Sequence, residues 1–178
     1  ALTVAAPGRK IHQMMSSSWD EFSADGVDTA VHAKHLRVIR GKRVALHDFS
    51  VRIARGTVTG LLGPSGCGKT TLMRSIVGTQ VVASGTVTVL GHPAGSPPLR
   101  RRVGYVTQDP TIYNDLRVID NVRYFADLYG IPSSAADEAV DGVGLRDHAR
   151  AYCANLSGGQ RTRVSLACAL VCQPDLLV

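Results

Sequence analysis

Apolar and polar positions begin to recur regularly at Val31. Positions 31–38 alternate as a strand, Gly41 marks a turn, and Phe49, Val51 and Ile53 alternate against Ser50 and Arg52 as a half-buried strand. After Arg55-Gly56, the run 57–62 predicts a strand buried on both faces. A glycine-rich interruption at 63–68 precedes Lys69–Val77, where Leu72 with Ile76 and Met73 with Val77 give helical spacing up to Gly78. Short strands are expected at 85–89 and 103–106. Helices are expected at 118–129, 134–143 and 160–171, the last with Val164, Ala167, Cys168 and Val171 on one stripe. Pro174 stops that helix, and Leu176-Leu177-Val178 opens a further strand. Strands, then strand–loop–helix, then helices, then a strand predict an α/β core with a helical insert. Residues 1–30 carry Ser16-Ser17-Ser18, scattered charges and the lone Trp19 without a sustained period, and are expected to be an irregular or disordered leader. Arg9 and Lys10 precede no apolar run of the kind a secretory signal needs.

Composition narrows the class. A chain of 178 residues fits one domain, large enough to bury about 70% of its unfolded surface. The longest nearly apolar run, 164–172, contains a serine and falls well short of the roughly 20 residues a membrane-spanning helix requires. The net charge of +6 is unevenly spread, because residues 1–30 sum to −2 and leave +8 on the remainder, mostly as scattered arginine. Such a surface suits nucleic acid, acidic lipid or a phosphate ligand. Its densest run, Arg100-Arg101-Arg102, follows Pro97-Pro98 and reads as a solvated turn. The four cysteines (67, 153, 168 and 172) show no C-x-x-C pair and no histidine at zinc spacing. Cys168 and Cys172 read as small buried side chains one helical turn apart, and a reduced, cytosolic setting is the expectation.

Two motifs carry chemistry. Gly63-Pro64-Ser65-Gly66-Cys67-Gly68-Lys69-Thr70 matches G-x-x-x-x-G-K-[ST], between an apolar strand and an amphipathic helix as the pattern requires. Its glycines let successive backbone N–H groups curl around an anion, and the helix that follows places about half a positive charge at its N-terminus. Lys69 is then expected on the β- and γ-phosphates and the Thr70 hydroxyl on Mg²⁺. Such a pattern arises by chance in roughly one chain in a hundred, and the flanking elements lower that further. The second motif, Leu156-Ser157-Gly158-Gly159-Gln160, stands immediately before a predicted helix. A serine hydroxyl and two glycine N–H groups there can form a second phosphate-binding surface, or simply an N-cap and a flexible turn.

Together these strings make residues 31–178 resemble the nucleotide-binding domains of ATP-binding cassette (ABC) proteins. The resemblance implies a P-loop NTPase core with an N-terminal antiparallel β subdomain and an inserted helical subdomain at about 113–153. It makes Gly63 to Thr71 the Walker A loop and Leu156–Gln160 the signature, which reaches a nucleotide held by a second copy of the domain. Gln108, within Gly104-Tyr105-Val106-Thr107-Gln108, falls at the Q-loop glutamine, a catalytic-site residue that touches Mg²⁺ alongside Thr70. Arg40 falls where the family has an aromatic residue stacked on adenine, and a guanidinium can stack on a base. The implied ligands are ATP and Mg²⁺. The implied partners are a second nucleotide-binding domain and a membrane permease that docks the helical subdomain, and the implied location is the cytoplasmic face of a membrane.

One departure bears on activity. Family members continue past the signature helix with Pro-Asp, an apolar strand and an Asp-Glu pair, whereas this sequence runs Gln173-Pro174-Asp175-Leu176-Leu177-Val178. Asp175 belongs to the loop before the strand. The magnesium aspartate, the catalytic base and the switch histidine are therefore expected beyond a truncated Walker B strand, and no histidine follows His148. The resulting expectation is an ATPase subunit of a transporter. The stretch 113–130 resembles the ABC-2 drug-export type, and the 178-residue chain is expected to be inactive by itself. The alternative is a soluble ABC ATPase acting on ribosomes or nucleic acid. The +8 core mildly supports that reading, and the presence of one short cassette argues against it.

Overall fold

A computed structural model describes residues 3–5 and 28–178, and the chain divides into two compact units, residues 1–99 and 100–178. In the first unit, the alternation beginning near Val31 builds a long hairpin of β2 (Thr29–Arg40) and β3 (Arg43–Ala54), following a short β1 (Thr3–Ala5). The hairpin lies in an antiparallel sheet of order β3-β2-β5-β6, completed by β5 (Ser84–Val89) and β6 (His92–Pro93). Pairing of β2 with β3 shifts register at four points, two of them at His35 and Asp48. Both have positive φ, and the two bulges re-aim the strands without losing the buried row Val31, Ala33, Leu36 and Val38. His35 and Asp48 are joined by a 2.7 Å contact between Nδ1 and Oδ1.

The strand β4 (Gly60–Leu62) leads into α1 (Lys69–Val77), whose Leu72 and Ile76 are buried. Those two side chains supply roughly 1.5–3 kcal/mol each, which a nine-residue helix needs because it is too short to persist alone. Two expectations are corrected here. The run 57–62 is a strand only over its last three residues, and it is not buried on both faces: Val58 is 79% and Leu62 50% exposed. Two-sided burial needs neighbouring strands and covering helices, and among the described residues β4 pairs only with β1, antiparallel, Thr3 opposite Leu62. Within the stretch 1–30, expected to be irregular, Thr3–Ala5 forms a strand and Thr29-Ala30 open β2, while residues 1–2 and 6–27, Trp19 included, lie outside the described residues.

In the second unit, β7 (Val103–Gly104) pairs in parallel with β8 (Leu176–Leu177), and the backbone of Val178 continues the ladder to Val106 and Gly104. Three helices pack together: α2 (Val118–Tyr129), α3 (Ser134–Gly142) and α4 (Gly158–Leu170). Their shared core contains Val118, Val122, Ala126, Val140, Leu145 and the stripe of Val164, Ala167, Cys168 and Val171. Burial pushes the Cys168 thiol up to about 12, so it behaves as a small apolar side chain, while Cys172 is only half-buried. The arginine run is not wholly solvated: Arg102 Nε donates to Asp175 Oδ2 at 2.6 Å, tying the start of β7 to the start of β8. Among the described residues, no helix is long and apolar enough to cross a membrane.

Candidate functional site

The first unit carries the 63–71 loop. Gly68 caps α1 at φ 103°, and a Cβ there would stand 2.8 Å from the Ala45 carbonyl oxygen and 2.7 Å from Leu46 Cδ2. Both the backbone angle and the close approach of β3 therefore require glycine. The loop closes on itself through a Cys67 N–H bond to the Pro64 carbonyl at 3.3 Å. The next helical bond runs from Leu72 N–H to the Gly68 carbonyl. Among the described residues, no group accepts from the N–H of Gly66, Gly68, Lys69 or Thr70, so these donors remain for an anion at the positive end of the helix.

Lys69 lies back along this loop. Its ammonium donates to the Gly63 and Pro64 carbonyls at 2.7 and 2.8 Å and comes within 3.8 Å of Cys67 Sγ. A lysine has three donors: two are bonded to carbonyls and the third faces Cys67 Sγ, a weak acceptor that a phosphate oxygen would displace. Thr70 is exposed, and its hydroxyl has no partner among the described residues, so its oxygen suits a hard cation such as Mg²⁺. Ser65 and Gly66 are exposed beside it, whereas the Thr71 side chain is buried against the core. Arg40 stands exposed at the end of β2, opposite Arg43 across the hairpin turn.

The second unit carries the other candidates. Gln108 lies just beyond the end of β7, exposed and with an amide free of partners among the described residues, where ligands gather at the carboxyl ends of parallel strands. In the 156–160 string each residue has its own task. Leu156 is buried and anchors the turn in the helical core. Ser157 caps α4, its Oγ accepting from Gln160 N–H at 3.3 Å while Gln160 Oε1 accepts from Ser157 N–H at 2.8 Å. The same glutamine sets Nε2 2.9 Å from His148 Nε2. Because Oε1 is committed to the cap, Nε2 must be the donor and His148 the acceptor. Gly158 and Gly159 have ordinary φ angles, and among the described residues nothing lies within 4 Å of where a Cβ would stand. Neither the backbone nor the packing of the described residues requires glycine there.

The helix expected from Gln160 thus begins two residues earlier, because the cap at Ser157 draws both glycines into its first turn. One structural residue of this region escaped the sequence reading. Asn121 is fully buried in α2. Its Oδ1 accepts from Tyr113 N–H, and its Nδ2 donates to the Tyr113 and Arg117 carbonyls and to Cys153 Sγ. The available signal was a lone amide on a helix face otherwise made of Val118 and Val122. Among the described residues, no group of three His, Cys, Asp or Glu side chains is placed to hold a metal ion.

The ABC transporter family matches residues 46–178. Nod factor export ATP-binding protein I of Cupriavidus pinatubonensis is 38% identical over 152 residues, which is 80% of this chain and 47% of that protein. Aliphatic sulfonates import ATP-binding protein SsuB of Cupriavidus necator is 39% identical over 153 residues, 84% of this chain and 49% of that protein. The structure of cbiO1 from Clostridium perfringens, part of the ABC transporter complex cbiONQ, superposes with a TM-score of 0.71 at 26% identity, covering 84% of this chain and 64% of its own. The chain spans about half the length of the curated relatives it matches. Sequence, fold and loop geometry agree: the chain belongs to the ABC transporter family, as its nucleotide-binding domain.

Proposed function

We propose that this chain is the ATP-binding part of a transporter ATPase, in which Mg-ATP held by the 63–71 loop of one copy is clamped by Ser157, Gly158 and Gly159 of another. Hydrolysis would reopen the pair and drive substrate through a membrane permease. The observation that carries this reading is the pair of open glycines at the start of α4. Nothing among the described residues requires them to be glycine, so their lack of side chains suits the close approach of an outside ligand to helix N–H groups. Lys69 holds the phosphates. Thr70 offers a metal an oxygen without a protein partner among the described residues, Gln108 keeps a free amide in its own unit, and Arg40 offers a planar cation to the base. Bound Mg²⁺ would neutralise charge developing on the phosphates.

Export is the finer form of the proposal. Proteins named for import match at the same level as one named for export, so overall similarity does not choose between them. The preference rests on the 113–130 stretch. There Tyr113 and Tyr124 meet edge-to-face at 5.3 Å and, with Leu128, remain exposed as a surface for a permease segment.

Ser157→Arg tests the shared site. Light scattering of the purified chain should show ATP-induced dimers for the wild type and monomers for the variant, with ATP affinity of the monomer changed less than about twofold. Pairing that survives the substitution would remove the signature from any shared site. Turnover gives a separate prediction. No Asp or Glu follows Asp175 in these 178 residues, and Asp175 is engaged by Arg102, so the chain should release phosphate no faster than a protein-free control. Robust release abolished by Lys69→Ala would overturn that expectation.

A further inference from the structure

The tip of the β2–β3 hairpin concentrates positive charge. Arg40 and Arg43 are direct cross-strand partners with Lys42 in the turn between them. Like charges placed opposite each other destabilise a hairpin. Among the described residues, no carboxylate pairs with any of the three, although five other ion pairs are formed elsewhere. An anion at this tip would relieve the repulsion.

The position of Arg43 says where such an anion would sit. From a Cβ placed on Gly66, the nearest atom outside the adjoining chain is Arg43 Nη2, at 4.0 Å. Two residues further along β3, the Ala45 carbonyl presses against Gly68. The first residues of β3 therefore lie along the 66–68 part of the loop, and the Arg43 guanidinium reaches its middle. Lys69 is bonded to the other part, at Gly63 and Pro64. The two cations flank different stretches of one set of free N–H donors.

We infer that Arg43 is a second cationic ligand of the nucleotide's phosphate chain, complementing Lys69. A guanidinium suits this position because its planar fork can hold two phosphate oxygens at once, whereas an ammonium acts as a point charge. The inference rests on the reading of the 63–71 loop as a nucleotide site, and it assigns a residue that lies before the stretch matched by the family.

Calorimetric titration of the purified chain with ATP and with inorganic tripolyphosphate tests it, using wild type, Arg43→Gln, Arg43→Lys and Lys69→Ala. Arg43→Gln should weaken both ligands alike by about tenfold, the effect of losing a charge-assisted bond, with Arg43→Lys in between. Lys69→Ala should weaken both as well. If Arg43→Gln binds tripolyphosphate like the wild type while Lys69→Ala does not, the phosphate role of Arg43 is wrong and the loop reading stands. A loss confined to ATP would move Arg43 to the base and also overturn the inference. If Lys69→Ala too binds like the wild type, the loop reading itself fails. In thermal melts Arg43→Lys should match the wild type and Arg43→Gln should be equally or slightly more stable, since the side chain is exposed, unpaired among the described residues and opposite Arg40, so a loss of binding would not reflect unfolding.

Discussion

Asn121→Ala should lower the stability of the second unit by about 3 kcal/mol, the largest loss expected from any single side chain outside the apolar core. The substitution strips the Tyr113 N–H of its partner and Cys153 Sγ of its donor, and it removes the side-chain donor from the Tyr113 and Arg117 carbonyls, which keep only the backbone N–H groups of Leu116 and Asn121. Two backbone bonds at about 1 kcal/mol each and a small cavity account for that figure. Asn121→Asp should do at least as much harm. A carboxylate could still accept from Tyr113 N–H, but it would face two carbonyls with no proton to give and would bury a charge. In a denaturant melt both variants should unfold earlier, and hydrogen exchange should accelerate at the Tyr113 amide. A shift below about 0.5 kcal/mol for either variant would show that the 113 segment is held by something else.

The consequence reaches function because Asn121 joins two lengths of chain with different roles. Tyr113 lies five residues beyond Gln108, and its ring packs on Tyr124 of α2. Cys153 is three residues before Leu156, which anchors the 156–160 string. One amide thus ties the segment leaving Gln108 to the segment entering the signature. Any reading in which these two segments act together would have Asn121 as a positioning residue.

Local chemistry made much of this fold legible in advance. Lys69–Val77 and Val118–Tyr129 were bounded correctly because each combines a strong apolar stripe with a glycine immediately after it. The start of α4 was placed two residues late although its signal was present: Ser157 and Gln160 stand at capping-box spacing, and the cap outweighs the poor helix propensity of two glycines. Burial of 57–62 was misjudged because an apolar run reports what a segment prefers and says nothing about which strands flank it. The remaining misses are long-range. Arg102 and Asp175 are 73 positions apart, and Asn121 and Cys153 are 32 apart. The meaning of Arg43 depends on which loop lies beside it. Motif spacing points to 63–71 and 156–160 as candidate phosphate-binding segments, but only the fold shows that Gly68 is demanded by β3 while nothing among the described residues demands Gly158 and Gly159.

That contrast makes Gly68→Ala the sharpest functional test. Alanine at φ 103° carries conformational strain of about 1–3 kcal/mol, and its methyl would meet a backbone oxygen at 2.8 Å that cannot rotate away. The capping residue must shift, and the N–H groups of Gly68, Lys69 and Thr70 swing with it. An affinity that depends on several donors converging on one phosphate should fall about 100-fold, equivalent to about 2.8 kcal/mol. Gly159→Ala is the matched control. Its methyl enters open space on an ordinary helical backbone, so stability should hold or rise slightly, and nucleotide binding by the monomer should be unchanged. The two variants should separate again when pairing is measured. Gly68→Ala should lose ATP-induced dimers because it loses the nucleotide, whereas Gly159→Ala should bind ATP normally and still pair poorly. Equal nucleotide affinity in both variants would mean that the loop tolerates displacement of its helix cap, and the geometric account of the phosphate site would be wrong.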